Sequence, residues 1–313
     1  MSLKRTGDDI HGWLVLDKPL GLSSAKAVAE ARRIFNARRA GHGGTLDPLA
    51  SGILPIAFGE ATKTTAYAMA GTKTYRVTVA FGIATATDDR EGDIVARSDV
   101  RPDTQAIHDA LPRFVGAIEQ MPPAYSALKV AGERAYRLAR QGHDVQLAAR
   151  TVEIKGLKLI SRPHPDTVDL DVVCGKGVYI RSLARDLAQS LGTVGHVAQL
   201  RRTQVGPFHE DHAITLAKLG EFGHSPAAFE RLLPIETVLD DIPALAVTEG
   251  EAERLRQGQA LAALDTGVNG PRWHPKESHP EDGTILLATA DGKPVALARF
   301  ERGCVRPVRV LNL

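Results

Sequence analysis

A glycine-rich segment between residues 41 and 52 is the feature that most limits what this chain can fold into. It reads Gly-His-Gly-Gly-Thr-Leu-Asp-Pro-Leu-Ala-Ser-Gly, and a segment so rich in glycine, with a proline near its centre, does not sustain a helix. Apolar residues at helical spacing precede it over residues 25–38, where Ser24 is a candidate N-cap. An apolar run at Ile53–Phe58 follows it. The pattern therefore predicts a helix, a loop and a buried strand, in that order.

Strand and helix patterns alternate through the first 240 residues. Alternating apolar residues predict strands at 13–17, 74–81, 151–160, 167–174 and 196–201. Helical spacing predicts helices at 104–111, 132–141 and 179–191, the first of them capped by Asp103.

The pattern changes near Asp240. Beyond it, the chain carries short apolar runs that are bounded by turn residues, at 244–248, 284–290, 294–300 and 304–311. A polar insert at 266–283 separates the first run from the others. Several short strands with turns between them predict a small β-barrel of about 70 residues.

Composition narrows the class of protein. Hydrophobic residues make up 43% of the 313 residues, which is ordinary for a globular chain. No apolar stretch approaches the roughly 20 residues that a membrane-spanning helix needs, and the first residues lack the apolar core of a secretory signal. Cys174 and Cys304 are too few for a disulfide framework or a cysteine-based zinc site. We expect a soluble, cytoplasmic protein that does not contact a membrane.

Charge is unevenly distributed, although the net charge is only +2. Basic residues outnumber acidic ones in residues 1–44 and 121–210, whereas residues 81–120 and 211–313 are acidic. Two basic segments can converge on one face that binds a polyanion. Basic residues that merely coat solvated helices give the same distribution, so charge alone leaves nucleic-acid binding open.

Asp47 and His42 are the candidate chemical groups of the glycine-rich segment. Asp47 precedes a proline, and an Asp-Pro pair is also common in ordinary turns. His42 by itself fits a surface loop equally well. The Gly-x-Ser-x-Gly motif of the hydrolases is absent, and the histidines show no His-x-x-x-His spacing for a metal. Asp47 therefore stands as a lone carboxylate in a loop that joins a helix to a strand.

A second candidate segment runs from Val172 to Arg181. A strand leads through a Gly-Lys-Gly turn at 175–177 into a helix, but the full phosphate-loop motif is absent, so nucleotide hydrolysis is not supported. Arg181 falls in the first turn of that helix, where a cation opposes the helix dipole. Such an arginine often has a specific anionic partner, although a solvated arginine is the simpler interpretation.

Seven sequence blocks together resemble one family, the TruB-type tRNA pseudouridine synthases, which isomerise uridine 55 in the T loop of tRNA. The resemblance runs from Gly12 to about Phe208. The matching blocks are 12–21, 41–56, 59–63, 73–77, 122–129, 175–187 and 200–202. Their order along the chain is that of the family, which is far more specific than any single block.

The resemblance implies roles for the residues of the catalytic pocket. Asp47 matches the catalytic carboxylate, and Arg181 matches the arginine that pairs with it in a poorly solvated pocket. Tyr75 matches the tyrosine that stacks on the target base and is implicated in removing the C5 proton. Leu200 matches the apolar residue on the other side of the base, and Tyr179 another pocket residue. Core packing is the alternative role for these last three.

The resemblance also implies how the RNA is held. His42 matches the residue that fills the space left by the flipped base, and Lys18 belongs to a motif that buttresses the pocket. Residues 121–150 match the insertion that grips the T loop, and its helix carries basic residues at three-residue spacing on one side, suited to phosphates. These basic residues are Arg134, Arg137 and Arg140. The reaction oxidises nothing and moves no phosphate, so no cofactor or metal is expected.

The fold implied is α+β, with a mixed, mostly antiparallel sheet of the pseudouridine synthase type, flanking helices and a C-terminal barrel of PUA type. The expected domains are residues 1–240 for catalysis and 241–313 for RNA binding. The expected partner is the T stem-loop of tRNA, bound by a monomer with no obligate protein partner.

Two alternatives stay open. A pseudouridine synthase for another RNA would share the catalytic residues, although the basic insertion favours the stand-alone tRNA enzyme. A non-catalytic RNA chaperone would need none of them. Intact Asp47, Tyr75 and Arg181 argue against folding of tRNA as the sole role, but not as an additional one.

Overall fold

The computed structural model describes residues 7–126, 128–130, 132–141, 147–262 and 280–313, with the backbone alone at 129, 130, 134 and 140. The strands are β1 (Gly12–Lys18), β2 (Ala40–His42), β3 (Ala50–Phe58), β4 (Lys73–Phe81), β5 (Ile83–Thr85), β6 (Ile94–Arg97), β7 (Gly116–Gln120), β8 (Lys129–Val130), β9 (Glu133–Arg134), β10 (Arg150–His164), β11 (Thr167–Cys174), β12 (Gly195–Val205), β13 (Phe208–His209), β14 (Ile214–Thr215), β15 (Leu232–Leu233), β16 (Ala244–Ala246), β17 (Leu261–Ala262), β18 (Ile285–Ala290), β19 (Lys293–Glu301) and β20 (Cys304–Val310). The helices are α1 (Ser24–Ile34), α2 (Thr65–Ala70), α3 (Thr104–Ala110), α4 (Ala135–Arg140), α5 (Ile180–Ser190), α6 (Leu216–Phe222), α7 (Pro226–Phe229) and α8 (Glu249–Arg256).

An 11-stranded sheet organises the first 240 residues, and its central path runs β14-β1-β3-β12-β4-β11-β10-β7. Pairing is antiparallel except between β1 and β14 and between β3 and β12. Helix α5 packs its apolar side, with Leu183 and Leu187, against β4, β11 and β12, and α1 covers β1 and β3 through Ala27 and Ala31. The predicted mixed, mostly antiparallel sheet with flanking helices is confirmed.

The C-terminal residues form a second sheet, with the order β16-β18-β19-β20-β17. Helix α8 packs Ala252 and Leu255 into the core of this curled half-barrel. Leu287, Leu297 and Leu311 extend from it to Trp13 and Ile53 of the main sheet. The strand expected at 244–248 ends at Ala246, and the helix that follows was not predicted. Most of the polar insert, at 266–279, lies outside the described residues.

Two predicted elements near the site are wrong in detail. The helix expected over 25–38 ends at Ile34, and its N-cap is Ser23, whose Oγ accepts from the Lys26 N–H at 3.3 Å. Asn36 adopts a left-handed φ of 49°, which no helix continues through. The short strand expected at 196–201 is an 11-residue central strand, β12. By contrast, Asp103 caps α3 as predicted, accepting from the Ala106 N–H at 2.7 Å.

Within the described ranges, no helix combines the length and the apolar character that crossing a membrane requires.

Candidate active site

The loop between β2 and β3, residues 43–49, is fastened by side chains from outside it. Lys18 ends β1 fully buried, and its Nζ donates to the carbonyls of Pro19 at 2.9 Å, Leu22 at 2.8 Å and Pro48 at 3.4 Å. Ser24 Oγ exchanges two hydrogen bonds with the backbone of Leu46, at 2.8 and 2.9 Å. The residues on both sides of Asp47 are thus held by buried groups, so the backbone that carries the carboxylate is fixed in place.

Arg202 holds the other half of this loop. Its side chain is buried, 1% exposed, and donates to the carbonyls of Gly44 and Thr45 at 3.1 Å each and of Ile53 at 2.8 Å. Strand β3 lies very close to the backbone of β12 at this point. A Cβ on Gly52, which has a φ of +102°, would lie 2.2 Å from the Arg202 carbonyl oxygen. Only glycine fits that position. A buried cation that donates to three backbone carbonyls fixes that backbone tightly.

Asp47 and Arg181 form an ion pair, with 2.9 Å between Asp47 Oδ2 and Arg181 Nη2. The arginine side chain is 7% exposed, whereas that of Asp47 is 40% exposed. The carboxylate therefore faces open space while its partner stays inside the protein. The sequence-based prediction of an anionic partner for Arg181 agrees with this geometry.

Further contacts orient the Arg181 guanidinium. Nη1 donates to the Thr87 carbonyl at 3.1 Å, Nη2 to the Tyr125 carbonyl at 3.0 Å, and Asp89 Oδ2 lies 3.7 Å from Nη1. Asp89 is itself held, because its Oδ1 accepts from Thr87 Oγ1 and from the Glu91 N–H. The acidic loop after β5 and the first residues of the insertion thus meet at Arg181.

A cleft of about 710 Å³ opens in front of Asp47. Its lining includes Tyr75, Leu200 and Tyr179 beside Asp47 and Arg181. Five lysines or arginines line it, and among the described lining residues Asp47 is the one acid. The cations are Lys73, Arg150, Lys176, Arg181 and Arg202. A concave surface on which cations outnumber acids in this way attracts an anionic ligand.

The two aromatic residues in the lining of the cleft come from a strand and from the residue before a helix. Tyr75 of β4 stands opposite Arg202 of β12 in register. Burial raises the pKa of the Tyr75 phenol, and the positive charge of Arg202, which is also its hydrogen-bond partner, works in the opposite direction. Tyr179 precedes α5, and the Arg150 guanidinium carbon lies 4.9 Å from the centre of its ring.

His42 and Lys18 lie outside the lining of the cleft. His42 ends β2, and burial, followed by the charge of Arg202, lowers the pKa of its imidazole, so the ring is neutral at pH 7. Burial lowers the pKa of Lys18 to about 8, while attraction to Asp47 opposes that shift. Lys18 supports the loop, in agreement with a buttressing position.

The basic insertion differs from the prediction. Arg134 belongs to strand β9, and helix α4 begins only at Ala135, so the three arginines do not share one helix. Arg137 lies on α4 and is exposed. The side chains of Arg134 and Arg140 lie outside the described part.

Sequence reasoning missed three residues that build the site, namely Ser24 as a tether, Asp89 and Arg202. The Leu-Arg-Arg block at 200–202 was the one available signal for Arg202. No group of three His, Cys, Asp or Glu side chains that could hold a metal occurs in the residues that the structure describes.

Comparison with known families identifies the class. Residues 32–180 match the TruB family pseudouridylate synthase N-terminal domain, and residues 181–240 match the tRNA pseudouridylate synthase B C-terminal domain. The boundary at residue 180 falls inside the fold, because β12 of the second segment is central in the main sheet. Fold, site and family together define a pseudouridine synthase, which is an isomerase.

Individual relatives agree over the whole chain. A protein of Rhodospirillum rubrum named tRNA pseudouridine synthase B is 52% identical over 313 residues, covering all of both chains. One of the same name from Caulobacter vibrioides is 50% identical over the same length. The chain therefore belongs to the TruB family.

Solved structures support the fold. A Cbf5-Nop10-Gar1 complex matches with a TM-score of 0.73 and 25% identity, over 96% of this chain and 85% of that chain. The archaeal box H/ACA sRNP Nop10-Cbf5 complex matches with a TM-score of 0.72 and 23% identity, over 96% and 86% of the two chains.

Proposed function

We propose that this enzyme converts uridine 55 in the T loop of tRNA to pseudouridine. The observation that carries the proposal is the Asp47 carboxylate, which is 2.9 Å from Arg181 and exposed to a cleft lined by cations and aromatic rings. The relatives named tRNA pseudouridine synthase B, at about half identity over their full length, support tRNA as the substrate.

The cleft fits a nucleotide that has left its helical stack. A uridine inside folded tRNA is inaccessible, so the enzyme flips it out at a cost of a few kcal/mol. Tyr75 and Leu200 face the cleft from adjacent strands and hold the two sides of the uracil. The neutral ring of His42, at the end of β2 beside the catalytic loop, fills the space that the base leaves.

Asp47 acts at the ribose. Its carboxylate either attacks C1′ or removes the C2′ proton, and both routes break the C1′–N1 bond. The freed uracil rotates and its C5 bonds to C1′, which releases the Asp47 carboxylate from C1′ on the first route and returns the proton to C2′ on the second. The C5 proton then leaves and N1 gains one. The product is an isomer of the substrate, so the reaction needs no oxidant and no energy source.

The contacts of Arg181 keep Asp47 aimed at the sugar. A guanidinium fixed by two carbonyls and by Asp89 cannot swing away from the carboxylate, and fixed charges of this kind need no reorganisation during the reaction. Tyr75 relays the C5 proton: burial keeps the phenol protonated, so its oxygen accepts the C5 proton as its own O–H proton passes to solvent. The nearby positive charge of Arg202, which opposes the effect of burial on the Tyr75 pKa, eases the loss of that O–H proton.

We propose residues 1–240 as the catalytic domain, with the insertion at 121–150, and residues 241–313 as a PUA-like RNA-binding unit. The second sheet has a core of its own, which includes Leu245, Leu255 and Phe300. Lys63 Nζ donates to the Val310 carbonyl at 2.8 Å, and the Asn312 N–H donates to Glu60 Oε2 at 2.9 Å, so the units are tied together. We propose a monomer that needs no protein partner.

The test is incubation of the purified protein with an unmodified tRNA transcript, followed by mapping of pseudouridine at base resolution. Pseudouridine at position 55 is expected, and a transcript with cytidine at that position is the control. Product at another site, or only in another RNA, would redirect the proposal to a different substrate. A protein that speeds tRNA folding without forming any product would be a chaperone.

A further inference from the structure

Gln120 is a fully buried polar side chain that lies beside the cleft without lining it. It ends β7, and its register partner across the sheet is Arg150, the first residue of β10. The chain leaves the sheet after Gln120 to form the insertion and returns to it at Arg150. The two residues therefore stand at the base of the insertion.

The Gln120 amide pairs with the backbone of Tyr179 as a neighbouring strand would. Oε1 accepts from the Tyr179 N–H at 2.8 Å, and Nε2 donates to the Tyr179 carbonyl at 3.1 Å. A primary amide carries an acceptor and a donor side by side, so it satisfies both backbone groups of one residue. The same carbonyl accepts from the Leu183 N–H at 3.1 Å, within the first turn of α5. Gln120 thus fixes the backbone from which α5 starts.

The start of α5 depends on such outside support. Its N-cap is Tyr179, whose side chain makes no capping hydrogen bond, although the first N–H groups of any helix lack partners within it. The Arg150 guanidinium lies over the Tyr179 ring and donates to the Gly177 carbonyl. Residues at the base of the insertion therefore hold the turn that carries Tyr179 and Arg181.

We infer that Gln120 is a positioning residue for the isomerisation, which orients Tyr179 and Arg181 without touching the RNA. The inference rests on the proposed function. A small rotation of the first turn of α5 changes the 2.9 Å contact between Arg181 Nη2 and Asp47 Oδ2. A misplacement of about 1 Å at a reacting group costs on the order of a hundredfold in rate. Gln120 therefore affects the chemical step and leaves RNA affinity unchanged.

The first test uses Gln120→Met, which keeps the approximate length of the side chain and removes both hydrogen bonds. The single-turnover rate at saturating unmodified tRNA transcript is expected to fall tenfold or more, while the dissociation constant stays within twofold of wild type. A rate within twofold of wild type, or a loss confined to affinity, overturns the inference.

A second variant separates positioning from loss of structure. In Gln120→Glu, the protonated carboxyl keeps both an acceptor and a donor, whereas the ionised form loses the donor and repels the Tyr179 carbonyl. The charged groups packed around this turn include Arg150, Arg181 and Arg185, which donate to the carbonyls of Gly177, Tyr125 and Met121. Lys176 lies within the turn, and the Glu153 carboxylate lies against Gly175. The rate of this variant, divided by the wild-type rate, is expected to rise severalfold between pH 8.5 and pH 5.5.

Gln189→Glu, on the exposed end of the same helix, is the matched control, and its rate ratio should stay flat. A flat ratio for Gln120→Glu overturns the inference. So does a rate loss that coincides with thermal unfolding of the variant at the same pH. Lack of pseudouridine in the wild-type reaction would instead refute the proposed function, so the two failures are distinguishable.

Discussion

The catalytic loop and the basic insertion both depend on cations, but they use them in opposite ways. Lys18 and Arg202 are buried, and each donates three hydrogen bonds to backbone carbonyls around Asp47. Arg137 of the insertion is exposed on a six-residue helix. A buried cation fixes the shape of the protein, whereas an exposed cation is free to meet a phosphate. The first kind should control the rate of reaction, and the second the affinity for RNA.

Among the variants that test this comparison, Asp47→Asn should cause the largest loss of reaction rate. The amide keeps the shape of the side chain but can neither attack C1′ nor accept the C2′ proton, so the single-turnover rate should fall by about a thousandfold or more. Binding of tRNA should stay within threefold of wild type. The control is Asp171→Asn, which removes a surface carboxylate paired with Arg76 at 3.1 Å. Residual turnover within tenfold of wild type would refute the role of Asp47.

Arg202→Met should produce the next largest effect, on both rate and stability. It leaves the carbonyls of Gly44, Thr45 and Ile53 without their donor, and each buried acceptor without a partner costs about 1–3 kcal/mol. The free energy of unfolding should fall by about 3 kcal/mol or more, and the loop that carries Asp47 should loosen.

Arg201→Met is the matched control for that variant. Arg201 is adjacent on β12, but its guanidinium binds Asp17 and Glu210 at the surface, with 37% of the side chain exposed. Surface ion pairs contribute about 0–1 kcal/mol, so this variant should keep nearly full stability and rate. Equal losses for the two variants, measured by denaturant unfolding and single-turnover kinetics, would show that burial of Arg202 has no special effect.

These two neighbours also explain what sequence reasoning could and could not reach. The sequence identifies an Asp in a glycine-rich loop and an Arg in a first helical turn, because loop and helix signals are local. It does not distinguish Arg202 from Arg201, because three of the partners of Arg202 are backbone carbonyls, which leave no mark in the side-chain pattern. Strand β12 was underestimated for a related reason. The polar residues at its carboxyl end, such as Thr203 and Gln204, resemble a loop until the sheet is assembled.

The effect of burial on Lys18 can be measured through the pH dependence of the unfolding free energy. Burial lowers the pKa of Lys18 from 10.5 to about 8 in the folded protein. Between these values the unfolded chain binds more protons than the native protein, so the contribution of Lys18 to stability increases as the pH rises and is lost as the pH falls through 8. Relative to Lys18→Met, the wild type should gain about 2 kcal/mol of unfolding free energy between pH 7.5 and 9.5.

Lys26→Met, at an exposed position on α1, is the control for that measurement. Its difference from wild type should stay constant over the same range, because a solvated side chain loses little hydration on folding. A Lys18→Met difference that is equally constant would mean that the lysine is not penalised by burial. Lys18 would then resemble the cations of the insertion.

The insertion should give the smallest effect, confined to affinity. Each phosphate contact that is lost lowers the log–log salt slope of binding by up to about one, so Arg137→Gln should raise the dissociation constant only severalfold. Replacing Arg134, Arg137 and Arg140 together with Gln should flatten the slope by up to about three, and the rate at saturating tRNA should stay near wild type.

The Tyr125 carbonyl, at the start of the insertion, accepts from Arg181 at 3.0 Å. If the triple variant slows the reaction at saturation, the insertion acts on chemistry through that contact, and the two kinds of cation are coupled. An unchanged slope would mean that phosphates are bound elsewhere, and the exposed Arg32, Arg33 and Arg39 would be the next residues to replace.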